Sequence, residues 1–353
     1  MDSGLPSGHW GVARLALLCV VLCHVATAMA LESPPPGAPL WDPPTSQRLA
    51  TLRASLDDLT HTAPHLRGPE LLAIAQECTE LISKYPERSE PYSLRARARE
   101  LQGRPLEALA DHRASIVWDV QNPEYYARLG MLFVYLEKPA KAVSEFSSLI
   151  MVDPDLPFAF PERALNLAML GDADAAVIDC DKALALSPHL ARAYSVRGVA
   201  HATAERYDLA IADSNKAIRL APGDARSFVN RAYVFAAAGF YMSALADAER
   251  AVKVESMSAV ARCVRADLNR VVSGSLESAL RDYTYAIDTV PFYSRAYWGR
   301  GLGHHARGQL GAAQADFRSA ILLDPEMQAH PEGRTEARRI LSECGVSIPP
   351  PLE

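Results

Sequence analysis

Residues 191–222 read ARAYSVRGVAHATAERYDLAIADSNKAIRLAP, and this stretch decides the fold because its pattern recurs along the chain. Its last residue belongs to a series of prolines, Pro154, Pro188 and Pro222, which stand 34 residues apart. Alanines recur in the same phase, at Ala108, Ala142, Ala176, Ala210, Ala244, Ala279 and Ala313. A fixed period of this length, with small residues at fixed places, is typical of a solenoid of helix–turn–helix units.

We number the quoted stretch from 1 to 32 and call these positions slots. Each unit predicts two antiparallel helices of about a dozen residues, neither of which can bury its apolar stripe alone. Small residues such as Gly198 at slot 8 and Ala210 at slot 20 let the two backbones approach closely. A glycine at slot 15, such as Gly239, supplies a permissive turn between the helices, and the slot-32 proline ends the second helix.

The pattern resembles that of the tetratricopeptide repeat family over roughly residues 55–325. The family motif is met at six slots of the quoted unit, by Tyr194, Gly198, Tyr207, Ala210, Ala217 and Pro222. The resemblance implies an all-α fold, a right-handed α-solenoid whose concave groove is lined by the first helix of each unit. One unit departs from it, because a residue is inserted between Ala251 and Gly274; there we expect Cys263 at slot 4 and Asp267 at slot 8.

The organisation that follows has five parts. The last unit needs a polar cap because it has no further unit to cover it. The parts are a signal peptide at 1–30, a proline-rich linker at 31–46, a divergent helical repeat at 47–88, seven repeats at 89–325, and a capping helix with a tail at 326–353.

The N-terminus predicts export. An apolar run, Leu15–Ala30, follows Arg14 and closes on Ala28-Met29-Ala30, which predicts a secretory signal cleaved after Ala30. The alternative is an uncleaved membrane anchor, although the run is shorter than the ~20 residues of a comfortable span. We expect a periplasmic or secreted protein, and a periplasm is favoured because the chain contains no Asn-x-Ser/Thr acceptor.

Arginine at slot 7 and aspartate at slot 23 recur together, always 16 residues apart. The pairs are Arg95 with Asp111, Arg163 with Asp179, Arg197 with Asp213, Arg231 with Asp247, and Arg300 with Asp316. We interpret each pair as a bridge between the two helices of one repeat, with the planar guanidinium on the carboxylate. The alternative is a ladder of arginines that binds a ligand, but such a ladder would not need a matched acid in every repeat.

No catalytic or metal-binding motif is visible, and we expect no enzyme activity, no cofactor and no metal. The three glycines of the WGRGLG run, residues 298–303, are interpreted as sites of close helix packing. Four cysteines lie after residue 30, at Cys78, Cys180, Cys263 and Cys344. Because a solenoid brings only neighbouring repeats together, we expect them to be small buried side chains and not disulfides. The net charge of −6 gives no sign of nucleic-acid binding.

Function is therefore expected in the concave groove, where aromatic, apolar and arginine side chains suit a protein or peptide partner. The candidate contact residues are Met131, Tyr135, Phe158, Arg192, Arg226, Tyr233, Arg295, Trp298 and His305. The hypothesis is a non-enzymatic scaffold or adaptor that acts outside the cytoplasm. The alternatives are a membrane-anchored adaptor with residues 15–30 uncleaved and an enzyme whose site lies within 47–88.

Overall fold

The structure, a computed structural model, describes residues 42–60, 68–324 and 334–346. Their regular structure is entirely helical, with seventeen α-helices and one π-helical turn, Asn269–Ser273. The α-helices are α1 Pro43–Thr60, α2 Gly68–Lys84, α3 Ser89–Leu101, α4 Pro105–Trp118, α5 Pro123–Tyr135, α6 Pro139–Val152, α7 Ala159–Met169, α8 Ala173–Leu186, α9 Ala191–Thr203, α10 Tyr207–Leu220, α11 Ala225–Ala237, α12 Tyr241–Val254, α13 Ala259–Leu268, α14 Leu276–Thr289, α15 Ser294–Ala306, α16 Leu310–Leu323 and α17 Arg334–Glu343.

Consecutive helices pack in pairs, and each pair packs on the next, as the repeat predicts. The small slots are buried at the contacts, with Ala210 and Ala244 completely inaccessible. Slot 15 adopts the left-handed conformation in every described repeat. It is occupied by Gly103, Gly171, Gly239, Gly274 and Gly308, and by the non-glycine residues Glu137 and Glu205. The all-α solenoid fold is therefore confirmed.

The inserted residue is absorbed by the π-helical turn Asn269–Ser273 at the end of α13. A π-turn accommodates one extra residue without breaking a helix. Since α13 begins at Ala259, the slots before this turn keep the ordinary register. The expected slot-4 and slot-8 positions of Cys263 and Asp267 are therefore wrong by one, and Ala266 is the small residue.

The first helix begins inside the segment expected to be a linker. Helix α1 starts at Pro43, three residues before the expected end of the proline-rich region at residue 46. Proline is tolerated in the first turn of a helix, where its missing N–H would have no partner. Its buried leucines Leu49, Leu52 and Leu56 pack in one cluster with residues of α2 and α3.

All four described cysteines are buried thiols, as expected. Burial raises the pKa of the Cys78 thiol to about 12 and raises that of Cys180 as well. Within the described residues, none of the helices combines the length and apolar character needed to cross a membrane. The expected signal peptide, residues 1–30, lies outside the described residues.

The solenoid also closes on itself. The side chain of Lys138, before α6, forms an ion pair with Asp324 at the end of α16, with Nζ and Oδ1 2.9 Å apart. Nearby, the ring of Tyr135 meets that of Phe292 edge-to-face at 6.3 Å between centroids. These contacts join the second repeat to the last two, so the inner face of the solenoid is partly enclosed.

Candidate partner-binding surface

The inner face is formed by the first helix of each repeat, and the structure divides the nine candidate residues by accessibility. Five are half-buried: Met131, Tyr135, Phe158, Arg226 and His305. Four are buried: Arg192, Tyr233, Arg295 and Trp298. The nine therefore do not form one continuous accessible groove.

Arg295 was expected to be a contact residue for a partner, and its burial corrects this expectation. Its side chain is 1% exposed and its Nη2 donates to Asp267 Oδ2 at 2.6 Å. The hydroxyl of Tyr283 donates to the other oxygen of Asp267, so the carboxylate has two buried donors. A guanidinium held in this way is part of the interior, and a partner cannot reach it in the closed solenoid.

Trp298 is corrected in the same way. Its indole packs on the ring of Phe317, with centroids 4.8 Å apart, and only 4% of the residue is exposed. The same cluster contains Ile340 and Leu341 of α17. The C-terminal helix thus covers the tryptophan, which is why its apolar surface needs no partner.

The other two buried candidates also have intramolecular roles. The guanidinium of Arg192 lies on the carboxylate of Glu162 in the preceding repeat, with Nε 3.0 Å from Oε1 and Nη2 3.2 Å from Oε2. The Tyr233 hydroxyl lies 3.3 Å from Thr203 Oγ1. Both contacts join first helices of neighbouring repeats, so these side chains fasten the inner face together.

The half-buried candidates differ among themselves. Tyr135 is engaged by Phe292, and His305 Nε2 lies 3.0 Å from Glu343 Oε2 on α17. Arg226 Nε donates to Asp224 Oδ1 at 2.8 Å. Met131 and Phe158 pack at the margin of the main core and keep part of their surface accessible. These two are the candidates that an incoming partner reaches most easily.

A small cleft at the N-terminal end of the inner face was missed by the sequence reasoning. It is lined by Arg53, Glu90, Ser93, Leu94, Arg97, Glu124 and Tyr125. The sequence pattern could have indicated this cleft, because Glu90, Ser93 and Arg97 occupy slots 2, 5 and 9 of the first regular repeat. Met131 lies two helical turns after Glu124 on the same face of α5, which extends this surface along the solenoid.

Ion pairs dominate the cleft. Arg53 Nη2 donates to Glu90 Oε1 at 2.8 Å, and these side chains remain 42% and 26% exposed. Burial lowers the pKa of the deeper Arg97, and the neighbouring Arg128 lowers it further, against the effect of its ion pair with Asp57. The cleft therefore contains several charged side chains whose ion-pair partners are partly exposed to solvent. Charged groups of a ligand can replace these partners.

The Arg–Asp pairs are confirmed as bridges within repeats. In all five, the Nε and Nη2 of the arginine donate to the two carboxylate oxygens at 2.7–2.9 Å. The repeat with the π-turn has the same arrangement, since Arg265 binds Asp282 with one more residue between them. These arginines are occupied by the fold, which supports the structural interpretation over a ligand ladder.

The WGRGLG run is packed as expected. A Cβ at Gly299 would lie 2.4 Å from the ring of Tyr283, and one at Gly301 would lie 2.7 Å from that of Phe317. The described residues include no group of three or more His, Cys, Asp or Glu placed to hold a metal ion.

Comparisons with known proteins show which fold has this geometry. Residues 162–225 match the model of the tetratricopeptide repeat family. The fold is a tetratricopeptide-repeat solenoid. Yeast Tom70 is similar in structure, with a TM-score of 0.56 and 15% identity over 94% of this chain and 69% of that chain. At this identity the likeness to Tom70 concerns the fold alone.

Two further solved structures are matched with lower TM-scores. A tetratricopeptide repeat protein from Parabacteroides merdae has a TM-score of 0.44 and 19% identity over 76% of this chain and 99% of its own. YrrB, described as a tetratricopeptide repeat protein with an unusual peptide-binding site, has a TM-score of 0.36 and 22% identity over 55% of this chain and 97% of its own. No curated protein matches the sequence.

Proposed function

We propose that this protein is a non-enzymatic scaffold that acts outside the cytoplasm and holds a protein or peptide partner on the inner face of its repeats. The observation that carries the proposal is the small charged cleft at the N-terminal end of that face, where Arg53 and Glu90 remain partly exposed beside the buried Arg97. The buried candidates on the inner face, such as Arg295, are engaged by contacts within the chain. A partner therefore meets the exposed parts of Arg53 and Glu90 at the cleft, together with the accessible surfaces of Met131 and Phe158 farther along this face.

The cleft suits a peptide that carries both acidic and basic side chains. Its guanidinium and carboxylate groups are already paired, so a partner binds by replacing exposed ends of these pairs with its own acids and bases. The apolar surfaces of Met131 and Phe158 give such a peptide an apolar contact farther along the inner face. In this arrangement Arg295 and Trp298, two of the contact residues expected from the sequence, do not touch the partner.

Charge reversal at the cleft tests the proposal. The mature chain, residues 31–353, is used to capture partners from its native envelope extract, and captured proteins are identified by mass spectrometry. Arg53→Glu places a third carboxylate beside Glu90 and Glu124 and should weaken capture of the specific partner about tenfold, which corresponds to about 1.4 kcal/mol.

The matched control is Arg206→Glu. Arg206 is 44% exposed against 42% for Arg53, and it likewise forms one ion pair, with Asp174. Circular dichroism checks that both variants are folded. Equal capture by the Arg53→Glu and Arg206→Glu variants would show that the partner uses another surface.

The sequence of residues 1–30, which predicts a secretory signal, supports the extracellular part of the proposal. The competing arrangement, in which residues 15–30 remain as an anchor and the repeats recruit a partner to the membrane, uses the same cleft. Retention of the protein in the membrane fraction after carbonate washing would favour the anchored form.

A further inference from the structure

Contacts between distant repeats hold the solenoid closed. We call these contacts the latch; its one side is Tyr135, Glu137 and Lys138, and its other side is Phe292, Ser294 and Asp324. The hydroxyl of Ser294 donates to Glu137 Oε2, and Lys138 Nζ donates to Asp324 Oδ1 at 2.9 Å. The partners are 157 and 186 residues apart in the sequence. Since solenoid repeats ordinarily contact only their neighbours, the latch is an addition to the repeat architecture.

An apolar cluster lies beside these polar contacts. Leu132 and Phe292 are buried in it, and Tyr135 and Leu136 pack against it. Gly103 borders the same region, because a Cβ there would lie 3.2 Å from the Cβ of Pro291. Separation of the two sides would expose this cluster, so the closed form gains from apolar burial as well as from the ion pair.

Glu137 is an unexpected residue at its place in the repeat. It occupies slot 15 with φ 56, a left-handed conformation that costs little for glycine and more for other residues. Glu205 occupies the same slot with φ 59, but its side chain is exposed. The Glu137 side chain is instead buried against Ser294, and its Oε1 has no hydrogen-bond partner. The turn itself does not require this carboxyl group.

The charged groups around Glu137 come from three elements. Asp324 at the end of α16 repels its negative charge, whereas Arg295 on α15 and Lys138 beside it attract that charge. Burial is the largest effect, and it raises the pKa of Glu137 from 4.5 to about 7. A pKa raised in the closed form means that closure is favoured while Glu137 is protonated, and that this advantage is lost as the pH rises from about 4.5 through about 7.

We propose that these contacts form a pH-sensitive latch, in which the protonated carboxyl of Glu137 keeps the solenoid closed and its ionised form releases the last repeats from the second. Opening exposes the apolar cluster that contains Tyr135 and Phe292. The inference concerns the conformation of the chain and does not depend on the identity of a partner.

Hydrogen exchange read by mass spectrometry tests the latch on the purified full-length chain. Exchange is measured at pH 5.5 and pH 8.5 and corrected for the intrinsic pH dependence of amide exchange. The closing constant should fall by about thirtyfold between these limits, because about one unit of the difference between 4.5 and about 7 is already lost below pH 5.5. Peptides covering 132–138 and 290–297 should become less protected at pH 8.5, whereas peptides covering 207–220 should not. Equal protection at both pH values at the latch would overturn the proposal.

Glu137→Gln identifies the responsible group, because the amide is neutral at both pH values and nearly the same size. This variant should keep the latch peptides protected at pH 8.5. Glu205→Gln, at the same slot but exposed, should respond to pH like the original chain. If the Glu137→Gln variant keeps the full pH response, then another group controls opening and the proposal is wrong.

A second variant tests the latch without relying on titration. Lys138→Glu places a carboxylate opposite Asp324 and should reduce protection of 290–297 at both pH values, with an increased radius of gyration in small-angle X-ray scattering. Lys182→Glu, an exposed lysine on α8, is the charge-matched control. Unchanged protection and size in folded Lys138→Glu protein would show that the two sides do not depend on each other.

Discussion

The guanidinium of Arg197 holds three helices together. Its Nε and Nη2 bind Asp213 on α10, and its Nη1 donates to Asp181 Oδ1 on α8 at 2.6 Å. The same third contact recurs at slot 25 of the preceding repeat for the other four arginines, with Thr79, Ser147, Asn215 and Thr284 as acceptors. Each arginine therefore joins its own two helices to the preceding repeat, and the series connects the solenoid along its length.

We expect Arg197→Met to lower the free energy of unfolding by about 1–3 kcal/mol, because Asp213 is left short of its donors in a partly buried site. Combining it with Asp213→Leu should recover part of the loss. Urea unfolding followed by circular dichroism measures both variants. Unchanged stability together with lost partner capture would instead favour the ligand-ladder interpretation.

Alanine substitutions at Gly299 and Gly311 compare a tightly packed glycine of the WGRGLG run with a glycine that has open space around it. Alanine at Gly299 would bring its Cβ against the buried ring of Tyr283, so Gly299→Ala should cost about 1–3 kcal/mol of stability. Gly311 has open space around its Cα, and Gly311→Ala should be neutral or stabilising by up to about 1 kcal/mol. Thermal unfolding of the two variants compares them directly, and similar effects would show that Tyr283 moves aside freely.

At the scale of the helix pair, the π-turn explains how one repeat of 35 residues fits among repeats of 34. Arg265 reaches Asp282 across 17 residues, whereas the other pairs span 16. The extra residue is therefore accommodated after Arg265, and the bridge is kept. The insertion was visible in the sequence, but its place was not, since both sides of the π-turn carry residues compatible with the motif.

Deletion of Val271 should convert the π-turn into a regular helix end and preserve the fold. Val271 is 45% exposed, so little apolar burial is lost with it. The control is deletion of Ala237, at the equivalent slot of α11, which has no π-turn and would shift the register of Gly239. We expect a melting temperature within a few degrees of the original for the first deletion and loss of cooperative unfolding for the second. Equal damage would show that the π-turn has a role beyond accommodating the insertion.

The helix pairs of this fold can be predicted from the sequence because the 34-residue repeat specifies which side chains face the partner helix. The close packing of Ala210 and Gly301 and the pairing of Arg197 with Asp213 were predicted from their slots alone. Accessibility could not be derived in this way. The slot of Trp298 predicts that it faces inward, but the burial of its indole depends on Phe317 and on α17 at the chain end.

At the scale of the whole molecule, the closure of the solenoid lies beyond sequence reasoning. Repeat periodicity describes neighbours, whereas Lys138 and Asp324 meet only after the small rotations between several repeats have accumulated. Arg295 is enclosed by the neighbouring repeat, where Asp267 accepts from both Arg295 and Tyr283. Slot positions therefore did not reveal which candidates are accessible, as the burial of Arg295 and Trp298 shows.

The cysteines allow one prediction about the whole chain. Cys19 and Cys23 lie in the expected signal segment, and Cys78, Cys180, Cys263 and Cys344 lie after it as buried thiols. Burial raises the pKa of Cys78 to about 12, so little reactive thiolate forms at neutral pH. We expect iodoacetamide to leave the folded, exported protein nearly unlabelled and to add four labels after denaturation without reductant.

That count decides two questions at once. Four labels on a chain that begins at Leu31 mean that the signal is cleaved and that no disulfide has formed, and a reductant should then leave the melting temperature unchanged. Six labels on a chain that retains residues 15–30 would support the membrane-anchored form. Two labels that rise to four after reduction would show a disulfide and would contradict the four separate buried thiols of the structure.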